Sequence, residues 1–173
     1  TIPEGYSFLA NQIDGVSYNF IVLNDTTVTK SNSQFVFENL EIYEGQLITY
    51  NFTHSEQTNP KQIFTLVDEN VDTATIKVTV TESSSNSSAT TYSRFTELLD
   101  VGPTSEVFFL QETRNNQYQV YFGADIIGKK IPDGAIVSIT YLVTNGSAAQ
   151  KADGFVPRQT LTDSLGESLT DFD

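Results

Sequence analysis

Cysteine, methionine and tryptophan are absent from the 173 residues of this sequence, and histidine occurs once. Without cysteine there can be no disulfide and no thiolate metal site, which fits a reducing compartment such as a cytoplasm. Because no methionine begins the sequence, we expect it to be an excised piece of a longer protein. One domain is the default for this length, with enough chain to bury a core without covalent crosslinks.

Positive charge is also scarce, since nine Lys and Arg residues stand against 22 Asp and Glu residues, for a net charge of −13. Binding of nucleic acid requires basic groups that neutralise phosphates, so we expect no nucleic-acid partner. The same field repels anionic lipid, and no apolar run approaches the ~20 residues that span a bilayer, so we expect no membrane contact. We interpret the acidity itself as a solubility feature.

The groups that usually carry out catalysis are few. The single histidine, His54, is interpreted as an ordinary surface residue near a strand end, and it leaves too few ligands for a histidine-based zinc site. The segment Gly128-Lys129-Lys130 has a lysine where a phosphate-binding loop has Ser or Thr. We therefore predict no catalytic residue, no metal site, no cofactor and no small-molecule substrate.

Two carboxylate groupings leave alternatives open. Glu106 and Glu112 flank one predicted strand and could serve a hydrolase that uses paired acids. Residues 68–72, Asp-Glu-Asn-Val-Asp, offer oxygen ligands that suit calcium in a loop, although the full pattern of a calcium-binding loop is missing. Most of the acids fall at strand ends or in loops, where a solvated role is the simpler interpretation.

Hydrophobic residues alternate with polar ones in several segments, and this period of two indicates strands with one buried face. Clear alternation predicts strands at 48–52, 74–81, 118–122 and 137–143, and the continuous apolar run at 107–110 indicates a strand covered on both faces. Weaker patterns predict strands at 18–23, 35–42 and 62–67. The residues between 110 and 118, rich in Asn, predict a hairpin.

The resulting fold class is mainly β, an antiparallel sandwich or barrel-like domain with very little helix. We predict one all-β module over residues 1–155, with the option of two small lobes at 1–66 and 67–155. Residues 156–173 are predicted to be a tail or a linker to a following domain. Leucines four residues apart in this tail also permit a short amphipathic helix.

A longer pattern becomes visible when the strands and turns are read together. A hairpin ends in an aromatic-Phe-Gly, a glycine-containing loop follows, and the next strand contains Tyr and ends at a Thr-Asn-Gly turn. The residues concerned are Phe108 to Glu112, Tyr121-Phe122-Gly123, Gly128, Gly134, Tyr141 and Thr144-Asn145-Gly146, preceded by Ile2-Pro3-Glu4-Gly5-Tyr6-Ser7-Phe8, Tyr43-Glu44-Gly45 and Asn70-Val71-Asp72. In these motifs the sequence resembles the baseplate wedge proteins of T-even-type contractile-tailed bacteriophages, which are similar to the wider baseplate J-like family.

This resemblance covers most of residues 1–156 and implies a structural component of the virion. It implies a location in the tail baseplate, assembly in the cytoplasm of the bacterial host, and partners that are other wedge subunits and copies of the same protein. It also implies rearrangement when the tail contracts, and it supplies no catalytic residue. The positions that it matches are conformational glycines and motif aromatics: Gly5, Gly123, Gly128, Gly134, Gly146, Tyr121, Phe122 and Tyr141.

A second function stays open from the residues alone, namely a carbohydrate-binding or adhesin-type β-sandwich. That function predicts exposed aromatic rings near calcium-like loops. An assembly role predicts apolar surface or a bare strand edge, because parts of an assembly bury such surfaces against their neighbours.

Overall fold

A computed structural model describes residues 1–83, 86–97 and 101–169, and within these residues nearly all of the regular secondary structure is strand, joined by turns and irregular segments. A single 3-10 helix covers Gly146–Ala149. The strands, in chain order, are β1 Ser7–Leu9, β2 Asn19–Ile21, β3 Tyr43–Glu44, β4 Gln46–Thr53, β5 Ile63–Leu66, β6 Val71–Ser83, β7 Asn86–Arg94, β8 Val107–Glu112, β9 Tyr118–Phe122, β10 Ile136–Val143, β11 Val156–Pro157, β12 Leu161–Thr162 and β13 Ser168–Leu169.

The mainly β prediction is therefore confirmed, and so are most of the individual strands. The alternating segments at 48–52, 74–81, 118–122 and 137–143 all lie in strands, and the weaker pattern at 62–67 contains β5. The strand predicted at 35–42 is wrong, because that stretch is irregular and only the two residues of β3 follow it. No described residue of the tail is in a helix, since 156–169 contains three two-residue strands instead.

The chain forms two compact units. A central unit comprises residues 48–143, and a discontinuous unit combines residues 1–47 with residues 144–173. The optional boundary between lobes that the sequence predicts lies near residue 67, whereas these units divide at 47/48 and 143/144. The grouping of residues 1–155 as one wedge module followed by a tail stays a prediction.

The central unit contains a seven-stranded sheet in the order β4-β10-β6-β7-β8-β9-β5. Its two end strands approach each other through side chains, since the rings of Phe52 on β4 and Phe64 on β5 lie 5.3 Å apart. The sheet is thus nearly closed, as the barrel-like prediction requires. Its inward residues form one core, with Val78, Val137 and Ile139 wholly buried.

One neighbouring pair in this sheet, β7 with β8, is parallel. The antiparallel arrangement predicted from the sequence is therefore wrong for this pair. Parallel neighbours require a crossover of a dozen or more residues, and the connection over residues 95–106 supplies that length. The predicted hairpin of β8 and β9 is confirmed, with Leu110 opposite Val120 and Asn116 in the left-handed conformation of its turn.

The discontinuous unit is built on a four-stranded sheet in the order β11-β1-β2-β3. Its core includes Ile2, Tyr6, Phe8 and Phe20. The Tyr6 hydroxyl donates a hydrogen bond of 2.5 Å to the carbonyl of Gln159, so the N-terminal part of the chain is tied to the segment after residue 144. Pro157 stands in the edge strand β11, where a missing backbone N–H is tolerated.

A small hairpin of β12 and β13 closes through a tip that one carboxylate organises. Asp163 Oδ1 accepts hydrogen bonds from the backbone N–H groups of Leu165, at 2.8 Å, and Glu167, at 2.9 Å. The N–H of Glu167 is the largest cause that lowers the pKa of Asp163 below its ordinary value, and the N–H of Leu165 acts in the same direction. The tip holds Leu165 almost fully in solvent.

We expect the order of this tip to be lost as the pH falls. The pKa of Asp163 is lower in the folded protein than in the unfolded protein, where it is about 3.9. The ionised carboxylate therefore stabilises the tip fully when the pH is above the pKa of the unfolded state. This stabilisation is lost as the pH falls through the pKa of Asp163 in the folded protein. In an NMR titration Asp163 should titrate below about 3.9, with the amide shifts of Leu165 and Glu167 following it. In Asp163→Asn those amides should lose this pH dependence, and titration of Asp163 at or above the ordinary value would contradict the assignment.

Candidate functional site

The glycine loop that the family pattern picks out, residues 123–134, joins β9 to β10 in the central unit. The first residue of this loop approaches its middle so closely that a Cβ atom on Gly123 would lie 2.1 Å from the carbonyl oxygen of Gly128. Gly128 has φ +84° and its N–H donates to the carbonyl of Gly102 at 3.0 Å. Only glycine fits this approach and this conformation without displacement of the backbone.

A buried amide holds the same loop from inside. Gln62 is 3% exposed, and its side chain accepts a 2.6 Å hydrogen bond from the N–H of Ile131 and donates to the carbonyl of Gly123 at 3.4 Å. One side chain therefore joins the start of the loop to its far part. From the sequence, Gln62 is predicted only to begin the weak strand at 62–67, and a lone glutamine gives no sequence signal for such a bridge.

The remaining matched glycines serve separate turns. Gly5, Gly134 and Gly146 all have positive φ, and no atom lies within 4 Å of a Cβ built on any of them. Gly5 and Gly146 belong to the discontinuous unit, while Gly134 belongs to the central unit. The five matched glycines are thus divided between the units and do not make one site. What they share is a role in the path of the backbone.

Two of the three matched aromatics, Phe122 and Tyr141, are core residues. The Tyr141 hydroxyl donates a 2.6 Å hydrogen bond to Asp68 Oδ2. Burial raises the pKa of Tyr141 far above its ordinary range, and the neighbouring Asp68 carboxylate adds to that effect. Tyr50 lies beside the same carboxylate, and burial and Asp68 raise its pKa as well.

These contacts bear on the calcium alternative at residues 68–72. Asp68 binds Tyr141, and Asp72 Oδ1 accepts a hydrogen bond from the N–H of Ala74 at 3.0 Å. Across the described residues, no three or more His, Asp or Glu side chains are grouped in a way that could hold a metal ion. Both carboxylates stabilise the local fold.

The paired-acid alternative receives no geometric support from Glu106 and Glu112. Glu106 immediately precedes the six-residue strand β8 and Glu112 ends it, so at 3.3 Å per residue they are about 20 Å apart. Glycosidases that use two carboxyl groups hold them roughly 5 to 10 Å apart. Glu106 instead lies 3.7 Å from the Lys129 ammonium, which also contacts Glu82 at 2.5 Å.

The interpretation of His54 as a surface residue is wrong, because the structure buries it to 1% exposure. Its N–H donates to the carbonyl of Ala135 at 2.8 Å, and its carbonyl accepts from the N–H of Gly134 at 2.9 Å. These bonds extend the alternation of β4, in which even-numbered residues face the core, and the ring lies 6.3 Å from that of Phe64. A sequence signal for this burial was available, because His54 lies two residues after Phe52 and therefore on the same face of the strand, which packs against the core.

The third matched aromatic, Tyr121, lies on the opposite face of the sheet. It stacks on Phe109 of β8 with ring centroids 5.0 Å apart and an interplanar angle of 15°, and Phe95 contacts Phe109 at 4.7 Å. Ile63 of β5 stands directly opposite Tyr121 and is partly exposed. We call these four residues, Ile63, Phe95, Phe109 and Tyr121, the outer stripe.

The outer stripe corrects the prediction that β8 is covered on both faces. Phe108 is buried in the core, but Phe109 points outward and is only half-buried. The continuous apolar run at 107–110 therefore reflects one core face and one aromatic surface patch. Its side chains provide apolar contact area and no reactive group, so the arrangement suits binding to another macromolecule more than chemistry.

No family model matches the chain. The baseplate wedge protein gp6 of Enterobacteria phage T4 is 26% identical to it over 179 residues, and this match covers 94% of the chain and 26% of that protein. This chain is similar to a phage baseplate wedge protein. The baseplate wedge-like chain spans about a quarter of the length of this curated relative, and its place in the wider baseplate J-like family stays a prediction. No helix in the described part of the wedge-like chain has the length and apolar character needed to cross a membrane.

Proposed function

We propose that this chain is a structural segment of a phage tail baseplate wedge. It contacts other wedge subunits and copies of the protein that contains it, and it rearranges with them when the tail contracts. The observation that carries the proposal is the similarity to a baseplate wedge protein along 94% of the chain. The site of action is the tail baseplate of the virion, after assembly in the cytoplasm of the bacterial host.

The surface of the central unit supports an assembly role. The outer stripe places Phe109, Tyr121 and Ile63 on the solvent face of β8, β9 and β5, and Phe95, directly after β7, packs against Phe109. Aromatic side chains carry much of the binding energy in protein interfaces, because they bury a large area at a small cost in conformational entropy. The function proposed needs this surface and needs no catalytic group, cofactor or nucleic acid.

The double variant Phe109→Thr/Tyr121→Thr tests this role in the full-length protein. Threonine suits a strand, so the sheet should persist while the stacked rings are removed. We expect the association constant with the other wedge subunits to fall about thirtyfold or more, because truncating an interface hot spot costs about 2 kcal/mol or more. The measurement is light scattering of the mixed subunits across concentration, with circular dichroism to verify the fold.

A matched control lies one pair further along the same two strands. Gln111 and Gln119 stand directly opposite each other on the same outer face as Phe109 and Tyr121. The variant Gln111→Thr/Gln119→Thr makes the same number of threonine substitutions without loss of an aromatic ring, and it should associate normally. If both double variants had the same association constant with the wedge subunits, the outer stripe would not be part of the interface.

The carbohydrate-binding alternative rests on the same rings, since sugars stack on exposed aromatic faces. Phe109 and Tyr121 turn their faces toward each other at an interplanar angle of 15°, which leaves less ring face available to a sugar. Screening the chain against an array of surface glycans separates the two functions. Binding that is lost in Phe109→Thr/Tyr121→Thr, with subunit association unchanged, would favour the sugar-binding function.

A further inference from the structure

The two end strands of the central sheet differ in whether a side chain caps their outward backbone groups. On β5, the side chain of Asn59 accepts a hydrogen bond from the N–H of Ile63 at 3.1 Å and donates to its carbonyl at 2.9 Å. An amide side chain thus satisfies the outward backbone groups of Ile63 in the way that a neighbouring strand would. Such a cap makes the β5 edge unavailable at this position.

Among the residues that the structure describes, none caps the β4 edge in this way. In an antiparallel ladder, alternate residues direct their N–H and C=O groups to opposite sides. His54 uses both of its backbone groups to pair with Gly134 and Ala135, so the odd-numbered residues Thr49, Asn51 and Thr53 direct theirs away from β10. Within residues 1–83, 86–97 and 101–169, the sheet order places β10 as the only strand beside β4, so these outward backbone groups lie along the outer edge of the sheet.

The sequence of β4 lacks the residue types that commonly protect an edge strand. Its eight residues, Gln-Leu-Ile-Thr-Tyr-Asn-Phe-Thr, include no charged residue, no proline and no glycine. Its inward side chains, Ile48, Tyr50 and Phe52, stay half-exposed, whereas the inward residues Val137, Ile139 and Tyr141 of the adjacent β10 are fully buried. The core is therefore incompletely covered along this edge, where β4 and β5 meet through the rings of Phe52 and Phe64 but do not pair as strands.

We propose that the outer edge of β4 accepts an extended segment of a different protein chain as an added strand. This inference rests on the proposed function and names the surface through which one partner attaches. The added strand pairs with the backbone of Thr49, Asn51 and Thr53 and covers Ile48, Tyr50 and Phe52 with its own apolar side chains. Main-chain hydrogen bonds supply affinity in such strand addition, and alternate side chains supply specificity.

Charge determines which occupant fits. The chain carries a net charge of −13, so a second copy of it is repelled at long range, while a segment with Lys or Arg beside its strand residues is attracted. β4 itself is uncharged and imposes no local repulsion. The occupant is therefore an extended segment with alternating apolar and polar residues, flanked by basic ones.

The test uses a synthetic peptide of three valine-threonine repeats with two lysines at each end. Its binding to the 173-residue chain is followed by NMR hydrogen exchange and by fluorescence anisotropy. At saturation we expect the amides of Thr49, Asn51 and Thr53 to exchange at least about tenfold more slowly, as a backbone hydrogen bond worth about 1.4 kcal/mol requires. Amides of Tyr50 and Phe52, already bonded to β10, should change little.

The variant Thr53→Pro removes one outward N–H where an edge strand tolerates proline, and it should weaken peptide binding about tenfold. Thr53→Val keeps the N–H and should bind like the unaltered chain. A peptide with glutamates in place of the lysines should bind more weakly, and the difference should shrink at high salt. Circular dichroism verifies that Thr53→Pro is folded, and the exchange measurement on the unaltered chain does not depend on any variant.

Three results would overturn the inference. One is unchanged exchange at Thr49, Asn51 and Thr53 when the peptide is in excess. Another is equal peptide affinity in Thr53→Pro and Thr53→Val. The third is dimerisation of the chain alone that protects the same amides and is lost in Thr53→Pro, because the occupant would then be a second copy. None of these results alters the test of the outer stripe, so failure here is distinguishable from failure of the proposed function.

Discussion

Alanine at Gly123 will lower the free energy of unfolding of the central unit by about 3 kcal/mol or more, a large share of a domain's stability. The added methyl group would lie 2.1 Å from the carbonyl oxygen of Gly128 and 2.3 Å from that of Ile127. Both atoms belong to the backbone, so neither can move aside as a flexible side chain does. The loop would have to open, and its hydrogen bonds to Gly102 and Gln62 would be strained or lost.

Two other glycines of the central unit act as controls for this prediction. Gly134 has φ +79° but open space around a built Cβ, so Gly134→Ala should cost only the strain of the left-handed conformation, about 1 kcal/mol. Gly102 has neither a positive φ nor a close contact, so Gly102→Ala should lie within about 0.5 kcal/mol of the unaltered chain. Urea denaturation measures all three. Equal stability of the variants at Gly123 and Gly102 would contradict the close approach of Gly123 to Gly128.

Methionine at Gln62 will destabilise the central unit by about 3 kcal/mol. Methionine is similar in length but cannot replace the hydrogen bonds to Ile131 and Gly123, and the side chain of Ile131 is wholly buried. A buried backbone group without a partner costs about 1–3 kcal/mol. The same variant should speed hydrogen exchange at Ile131, because that amide loses its acceptor.

Gln119→Met is the matched control for this second prediction. Gln119 is half-buried and its amide donates to the Thr65 hydroxyl at 3.1 Å, so solvent can replace that bond. We expect a loss of no more than about 1 kcal/mol. If Gln119→Met and Gln62→Met unfolded at the same urea concentration, the hydrogen bonds of Gln62 would contribute no more to stability than that of Gln119.

Period-two alternation predicted the central strands because each has one face in a single core. In β6 and β10 the inward residues Val78, Val80 and Val137 are fully buried, and the polar residues between them face outward. The hairpin of β8 and β9 was predictable as well, since its turn contains Asn116 in a left-handed conformation that asparagine tolerates. Local pattern and tertiary structure agree in these elements.

The features that the sequence did not reveal depend on contacts between distant parts of the chain. The discontinuous unit joins residues 1–47 to residues 144–173, and no local signal marks such a union. The segment 35–42 has the residue types of a strand, but only β3 after it pairs with β2, so composition misled. The parallel pairing of β7 with β8 follows from a long crossover, which looks like any loop in one dimension.

For the candidate site, the sequence predicted glycine and aromatic positions better than it predicted their partners. Gly123 and Gly128 were picked out by the family pattern, whereas Gln62, which holds their loop, was missed because it lies about 60 residues away in the chain. The outer stripe was hidden inside an apolar run, since Phe108 and Phe109 look alike in sequence and face opposite sides of β8. Both the contact of Gln62 with the loop and the outward position of Phe109 depend on how strands pair with each other, which the sequence of one strand does not reveal.

The most direct test of a baseplate wedge role is electron cryo-microscopy of purified tails from the phage that encodes this chain. We predict density for the central sheet inside the baseplate, with Phe109 and Tyr121 buried against a neighbouring subunit. The same map should show whether an extended segment continues the sheet beyond β4. Density for this fold outside the baseplate, or an outer stripe that faces solvent on every copy, would contradict the proposed assembly role.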